Sequence, residues 1–386
     1  MTNVVILRSN TVDPDPRVEK IAWWLSQSGY KVTILGWDRE KISRRKEVRQ
    51  GYLIIRYQKR ATYGGGLKNL LKFLMFNLWI GWELLFLNFD VVHACDFDTV
   101  IPAWLVARLK RKKVVFDIFD LHSEAHFGSS KGLVRRILQS MESFFINHSD
   151  AVIIVDDSRR EQIRGTRPRR LEVIYNVPDT SLVEEVNSFE KVESKEDSMK
   201  RRLKIGYVGA LQRGRMLIEL LDLVGKSKDF ELFIAGFGLL EGDVKKVSQE
   251  HHNIHFFGKV SYEEALRIYS KCDVIFAVYD PDVPNHRYSS PNKVFEAMAL
   301  GKPIIVAEGT GVDQLVRSAN LGFVVRYGDV RHLAEVFNKI KQMSLDELKS
   351  MRERAVELFR TKYSPQLMRH RLLSVYSNLL AQRRDE

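Results

Sequence analysis

Two stretches of this chain open in the same way: a short β-branched run, a turn, a segment with helical spacing, then another β-branched run. Asn3-Val-Val-Ile-Leu7 carries no polar residue after its first, the composition of a parallel strand buried on both faces. Pro16–Ser28 follows with Val18, Ile21, Ala22 and Leu25 on one helical face. Gly29 stands where a helix end calls for positive φ, and Lys31-Val-Thr-Ile-Leu35 is the next strand. Leu203-Lys-Ile-Gly-Tyr-Val-Gly209 makes the second beginning, again a strand running into glycine. Parallel strands need crossover connections, usually helical. A chain that begins twice in this manner is therefore expected to build two α/β domains.

The alternation continues in both halves. In the first it predicts strands at Leu53–Tyr57, Val91–Ala94, Lys113–Asp117 and Ala151–Val155, with helices at Leu67–Leu87, Thr99–Leu109 and Gly132–Asn147. In the second it predicts strands at Phe230–Ala235, Ile254–Phe257, Val274–Ala277 and Pro303–Ala307, with helices at Met216–Val224, Glu263–Lys271 and Pro291–Ala299. Glu184–Arg202 is charged and lacks apolar period, so it reads as a connector. The expected plan is a domain over 1–183, a linker over 184–202 and a second domain over 203–365. The fold class is two Rossmann-like, doubly wound domains facing across a cleft, with ligands at the carboxyl ends of the strands.

Composition sets limits on function. The 386 residues are 45% hydrophobic and 28% charged, which excludes wholesale disorder. The net charge of +12 is uneven: through Asp179 there are 29 basic and 20 acidic residues, a net of +9. Cys95 and Cys272 lie far apart, too few for a disulfide framework or a cysteine metal cluster, so a reducing cytosol is expected. The opening Met-Thr-Asn-Val-Val-Ile-Leu-Arg has no basic-then-apolar signal region, which points to a cytoplasmic chain.

The strongest local motif is Ser290-Pro-Asn-Lys-Val-Phe-Glu-Ala-Met-Ala-Leu-Gly-Lys-Pro303. Ser290 suits a helix N-cap, Pro291 the first helical position and Gly301 the end. Asn292 and Glu296 share one face, while Val294, Ala297 and Met298 point into the core. A carboxylate one turn inside such a helix suits a ribose diol, each hydroxyl giving it a charge-assisted hydrogen bond. The bland alternative is an ordinary surface glutamate. Thr310 and Gly311 lie in a small-residue turn after a strand, whose N–H groups suit a diphosphate. Gly209 opens the backbone to a ligand, and Arg213 or Arg215 suits a pyrophosphate clamp, though exposed arginines are usually only solvated.

Taken in order, these residues resemble the GT-B, family-4-like retaining glycosyltransferases. Asp15-Pro-Arg17, His93-Ala-Cys-Asp96, Ile174-Tyr-Asn-Val-Pro-Asp179 and Asn320-Leu-Gly-Phe-Val324 are similar to family landmarks, as are Gly209 to Arg215 and Ser290 to Pro303. The resemblance implies a nucleotide-sugar donor bound mainly by the second domain and an acceptor bound by the first. It implies that Glu296 grips the ribose, that Arg215 faces the diphosphate, and that Asn292 and Lys293 frame the nucleotide. The chain departs from the family pattern in three places. Tyr288 stands at the earlier of two family glutamates, Ala210 at a usual basic position, and Thr11–Pro16 replaces a glycine-pair loop. Asp282, His286 and Arg287, with Tyr288, are the substitutes expected near the donor sugar.

In the first domain, Ile118–Glu124 is the expected catalytic loop. Phe119 occupies the family's histidine position, leaving Asp120, His122 and Glu124 as polar candidates to steady the transition state, orient the acceptor hydroxyl or act as base. A helix cap, a loop histidine and a solvated glutamate are the plain alternative. Asp96-Phe-Asp98 reads as an N-cap rather than a metal-binding Asp-x-Asp, and no metal or other cofactor is expected. The implied reaction moves a sugar, with retention, from a UDP- or GDP-sugar to a hydroxyl of a lipid-linked or polymeric glycan. A sugar-nucleotide epimerase, or a non-catalytic partner of another transferase, is the competing reading, the latter because of Tyr288.

Leu67–Phe89 is the most apolar stretch, but Lys68, Lys72, Asn77 and Glu83 interrupt it short of the ~20 apolar residues of a spanning helix. With Arg44–Lys46, Lys110–Lys113 and Arg159–Arg170 in the same half, it predicts peripheral contact with the inner face of the cell membrane. No nucleic-acid motif is present. Residues 366–386 are expected to form a helix crossing back to the first domain.

Overall fold

The computed structural model describes residues 1–61, 67–125, 132–180, 183–185, 202–288 and 291–381. Backbone contacts divide the chain into two compact units, Met1–Tyr175 with Met368–Glu386, and Asn176–Leu367. Residues 176–183 thus group with the second unit, and 186–201 of the expected connector lie outside the described residues.

The first unit is built on an eight-stranded sheet: β1 (Asn3–Leu7), β2 (Lys31–Asp38), β3 (Lys46–Arg49), β4 (Tyr52–Gln58), β5 (Val91–Cys95), β6 (Lys113–Ile118), β7 (Ala151–Ile154) and β8 (Leu171–Val173). They run in the order β3-β4-β2-β1-β5-β6-β7-β8, all parallel except the β3–β4 pair. Gln50 and Gly51, at φ 48° and 90°, make the turn of that hairpin, the geometry that matches strand twist. β1 lies inside the sheet, with Val4 to Leu7 at most 2% exposed. The helix Pro16–Gln27 starts at Asp15, whose carboxylate accepts from the Val18 N–H, and ends at Gly29 with φ 85°.

From β4 onward each crossover moves the same way along the sheet. Right-handed connections then place the helices Leu67–Phe86, Phe97–Leu109 and Leu133–His148 on one face. Phe76, Ile80 and Leu84 bury against Val100, Ala103 and Phe116 there. The β1–β2 crossover moves the other way, so the Pro16–Gln27 helix covers the opposite face. Part of the last helix, Pro365–Ala381, packs on the same unit: the Tyr376 ring lies 5.7 Å from Tyr30, and its hydroxyl meets His93 at 2.8 Å.

The second unit carries six parallel strands: β9 (Leu203–Val208), β10 (Phe230–Ala235), β11 (Ile254–Phe256), β12 (Val274–Ala277), β13 (Ile304–Ala307) and β14 (Gly322–Val325), in the order β11-β10-β9-β12-β13-β14. The motif helix spans Asn292–Leu300, and Gly301 ends it in the left-handed region. Pro291 is its N-cap in extended conformation rather than its first helical residue, because Asn292 supplies the first helical turn. Ser290 lies outside the described residues. Val294, Ala297 and Met298 are each 1% exposed, as their spacing requires, and Lys293 and Glu296 are buried with them.

Candidate functional site

In the second unit the loops after β9 and β10 meet backbone to backbone. A Cβ on Gly236 would fall 1.8 Å from the Gly209 carbonyl oxygen, and both residues have positive φ (141° and 152°). Only glycine fits this crossing. Its tightness leaves room beneath Gly209 for one side-chain tip, and Lys293 fills it: Nζ lies 2.8 Å from the point a Gly209 Cβ would occupy.

Lys293 is buried, with Nζ 4.8 Å from the Tyr207 ring centroid and donating to the Tyr279 hydroxyl at 3.3 Å. Burial opposes its charge and so does Arg215, yet Tyr279, Tyr207 and Glu296 together hold the ammonium above the usual lysine value. Arg215 covers the Tyr279 ring from 3.7 Å, and its Nε is buried with no hydrogen-bond acceptor. Neither cation is ion-paired with a carboxylate among the described residues. Two cations therefore gather around one phenol ring at strand ends, neither of them bound directly to a carboxylate, an arrangement that favours an anion.

Glu296 sits one turn along the same helix, 5% exposed. The ordinary surface glutamate is thereby excluded. The Tyr262 hydroxyl donates to its carboxylate, and burial with this bond pushes the Tyr262 phenol well above its usual value. Asn292 accepts from Asn176 Nδ2 at 3.0 Å. Thr310 gives its hydroxyl to the Ala307 carbonyl at 2.6 Å, and Gly311 (φ 72°) leads into the helix Val312–Ser318. The N–H of Gly309 is already held by Asp313 at 2.9 Å, so it is not available to a phosphate.

The donor-sugar candidates divide. His286 joins the cationic group, its ring 5.4 Å from Tyr279 and packed on Gly214. Asp282, Arg287 and Arg213 are exposed, and Tyr288 is half-buried.

In the first unit the loops after β1, β5 and β6 are tied by charge. Asp117, at the end of β6 and fully buried, takes Arg17 through two oxygens at 2.8 and 3.1 Å and also meets His93 Nε2 at 3.2 Å. Burial alone would raise this carboxyl. Arg17 and His93 outweigh it and hold the group below the usual value. Asp96 differs from the expectation of an N-cap: it makes no side-chain cap bond to the Phe97–Leu109 helix. Its backbone, at φ 69° and ψ 167°, turns the carboxylate away from the helix. One oxygen takes Arg8, and the other accepts the N–H groups of Phe119 (2.8 Å) and Asp120 (3.2 Å). Burial pushes the Asp96 carboxyl up to about 6, against the pull of Arg8. A non-glycine residue held in such a conformation stores about 1–3 kcal/mol.

The loop so held carries the three catalytic candidates. Asp120 pairs with Arg159 at 2.7 Å and keeps a half-exposed side chain. Glu124 accepts from Gln162 at 2.6 Å, and the His122 ring lies 5.9 Å from Phe97. The guanidinium groups of Arg8 and Arg17 both lie over the Phe119 ring, 4.4 and 4.9 Å from its centroid. The ligand-type atoms of His93, Cys95 and Asp117 lie within 4.8 Å of one another. Arg17 occupies the Asp117 carboxylate and burial keeps the Cys95 thiol protonated, so this group is internally satisfied.

Comparison with known proteins decides the family. Residues 17–182 match the model of Glycosyltransferase Family 4, and residues 202–342 match that of Glycosyl transferases group 1. The chain belongs to the GT-B glycosyltransferases of the group 1, family 4 kind. It is 27% identical to the capsular polysaccharide biosynthesis glycosyltransferase CapM of Staphylococcus aureus over 188 residues, 46% of each chain. Sucrose-phosphate synthase from Thermosynechococcus elongatus superposes with a TM-score of 0.76 at 16% identity, covering 99% of this chain and 100% of that one. Anabaena HepE in complex with UDP and glucose gives 0.71 at 14% identity, covering 98% and 100%. These structures establish the GT-B fold. The chain spans less than two thirds of the curated relatives' own lengths: 46% for CapM, 65% and 60% for the next two.

For a group 1, family 4 glycosyltransferase, the tyrosine frame around Lys293 and Glu296 (Tyr207, Tyr262, Tyr279) was not legible from spacing, because its members come from three separate elements. Arg8 and Asp117 were missed for the same reason. One signal was available, since an arginine directly after a buried strand and an aspartate inside another are costly unless paired.

Proposed function

We propose that this chain transfers a sugar, with retention, from a UDP- or GDP-sugar to a hydroxyl of a lipid-linked or polymeric glycan at the cytosolic face of a membrane. The observation that carries the reading is the grouping of two cations, Lys293 and Arg215, with a buried carboxylate, Glu296, at the strand ends of the second unit. The cations suit a diphosphate and the carboxylate a ribose diol. Charge builds on the leaving diphosphate as the sugar bond breaks, and two preorganised cations stabilise it there without a divalent ion. Tyr262 fixes the Glu296 carboxylate, and Gly209 with Thr310 and Gly311 brings backbone close to the phosphates. Asn292 frames the nucleotide from the start of the same helix. On this reading Arg213, Asp282, His286, Arg287 and Tyr288 serve the donor, and Asp120, His122 and Glu124 in the first unit serve the acceptor.

The UDP and glucose bound by HepE and the capsular role in CapM's name support donor class and acceptor type. Glu296→Gln tests the assignment. It keeps the shape and removes the charge that strengthens both diol bonds, about 1.5–2 kcal/mol in total. Donor KM is expected to rise roughly 10–30-fold with kcat little changed, since this contact is the same in ground and transition states. Release of nucleoside diphosphate from UDP- and GDP-sugars is the assay. An unchanged KM would remove Glu296 from the donor site.

A further inference from the structure

The helix Leu67–Phe86 is apolar on two opposite faces. Phe76, Ile80 and Leu84 bury one face completely. On the other, Leu70, Leu74, Leu78, Trp82 and Phe86 recur at every fourth residue and are 55–71% exposed. A helix in contact with water normally turns a polar face outward, so this stripe is built for a second apolar medium. It is broader than one helix. The neighbouring helices on the same face of the sheet expose Leu105 and Leu109, and Ile137 and Phe144. Trp104 joins the last two helices, its ring 5.4 Å from Phe144. The exposed area therefore forms a plateau across three helices, unlike the isolated apolar residues normal on soluble surfaces.

The charge around this plateau identifies its occupant. The three helices with the turn at 110–113 carry nine Lys or Arg and three Asp or Glu. One of those acids, Glu142, is buried on Ser123. Lys110 ties the C-terminal end of the Leu67–Phe86 helix, donating to the carbonyls of Leu84, Leu85 and Leu87 at 3.1, 3.1 and 2.7 Å. Beside its first turns a pocket of about 350 Å³ is lined by Arg39, Arg60 and Lys72 with one acid, Glu40. No helix among the described residues is long and apolar enough to cross a membrane.

We infer that this three-helix plateau docks on an anionic lipid bilayer, with Leu74, Leu78 and Trp82 at the acyl boundary and the surrounding Lys and Arg side chains on lipid phosphates. A flat apolar surface with a basic rim matches the interface between headgroups and chains. A second copy would instead set the same surplus positive charge against itself. The inference rests on the proposed membrane-face setting and extends it to particular residues.

The test is flotation of the full chain with phosphatidylcholine vesicles, with or without phosphatidylglycerol. Wild type is expected to float with the anionic vesicles, to do so at least about tenfold less with neutral ones, and to detach as salt is raised. The combined variant L74S/L78S/W82S, altered only at exposed positions, is expected to lose about tenfold or more of this binding while keeping its circular dichroism and Tm. Lys72→Glu with Arg111→Glu should weaken binding in low salt only. Absence of wild-type binding, or equal binding by the apolar variant, overturns the inference. So does self-association of wild type that the variant abolishes without any vesicle binding. Titration of the same preparation with UDP and GDP separates the two readings: nucleotide binding without vesicle binding sinks the docking surface alone.

Discussion

Lys293→Met is expected to weaken nucleoside diphosphate binding about a hundredfold, ~2.7 kcal/mol, with a much smaller loss of stability. The difference follows from the surroundings of the ammonium. In the free protein it is buried beneath Gly209, where Tyr279, Tyr207 and Glu296 offset its desolvation and hold it above the usual lysine value. Methionine fills a similar volume and gives up both the desolvation and those interactions. Once a diphosphate is bound the same ammonium makes a charge-assisted bond in a site shielded from water, and its removal is costly. If Lys293 merely propped up the Gly209 loop, affinity and stability would fall together. Calorimetric titration with UDP and GDP, beside a thermal melt, distinguishes the outcomes. Arg215→Met should show a smaller loss of affinity, since Arg215 is only half-buried.

The second large effect is expected in the first unit. Arg17→Met leaves Asp117 buried among Val115, Phe116 and Ile118 with only His93 beside it. Breaking a buried pair from one side costs about 3–5 kcal/mol, which lowers the unfolding transition of this unit by on the order of 10 °C. The pH dependence carries the diagnosis. In wild type the folded-state carboxyl titrates below its unfolded value, so the pair's contribution is fully present above about pH 4 and is lost as pH falls through the lower, folded value. In the variant burial dominates and raises that carboxyl, so the proton is retained on folding. The stability deficit should therefore be largest at neutral pH and shrink as the medium is acidified toward pH 4. A deficit constant with pH would mean that Arg17 acts by packing, through its contact with Phe119.

The parallel strands were legible because burial on both faces leaves unbroken β-branched runs, as in Val4–Leu7 and Val274–Ala277. β3 was not, since Lys46-Glu-Val-Arg49 is a solvated edge strand defined by its pairing with β4. β14 escaped because Gly322 opens it: a Cβ there would lie 2.0 Å from the Ile304 carbonyl, so the residue that permits pairing also hides the strand signal. In the second unit, positional logic placed Asn292, Lys293 and Glu296 on one helix but gave no reason for Lys293 to point under Gly209. That contact joins residues 84 positions apart in the chain. Asp96 shows the limit most clearly. Its place before a helix predicts a cap, yet its positive φ sends the carboxylate to Arg8 and the Phe119–Asp120 N–H groups, which a local pattern does not encode. The Leu67–Phe86 stretch posed a choice between a buried and an interfacial helix, and the structure shows one face buried and the opposite face apolar and exposed.

The donor site is the claim on which the rest depends, and a crystal structure of the protein with a bound nucleoside diphosphate tests it directly. Phosphate oxygens within hydrogen-bond distance of Lys293 Nζ and the Arg215 guanidinium, with the ribose hydroxyls on the Glu296 carboxylate, are the expected result. A nucleotide seated elsewhere, with Lys293 still confined to its tyrosines and Glu296 away from any ribose hydroxyl, would contradict it.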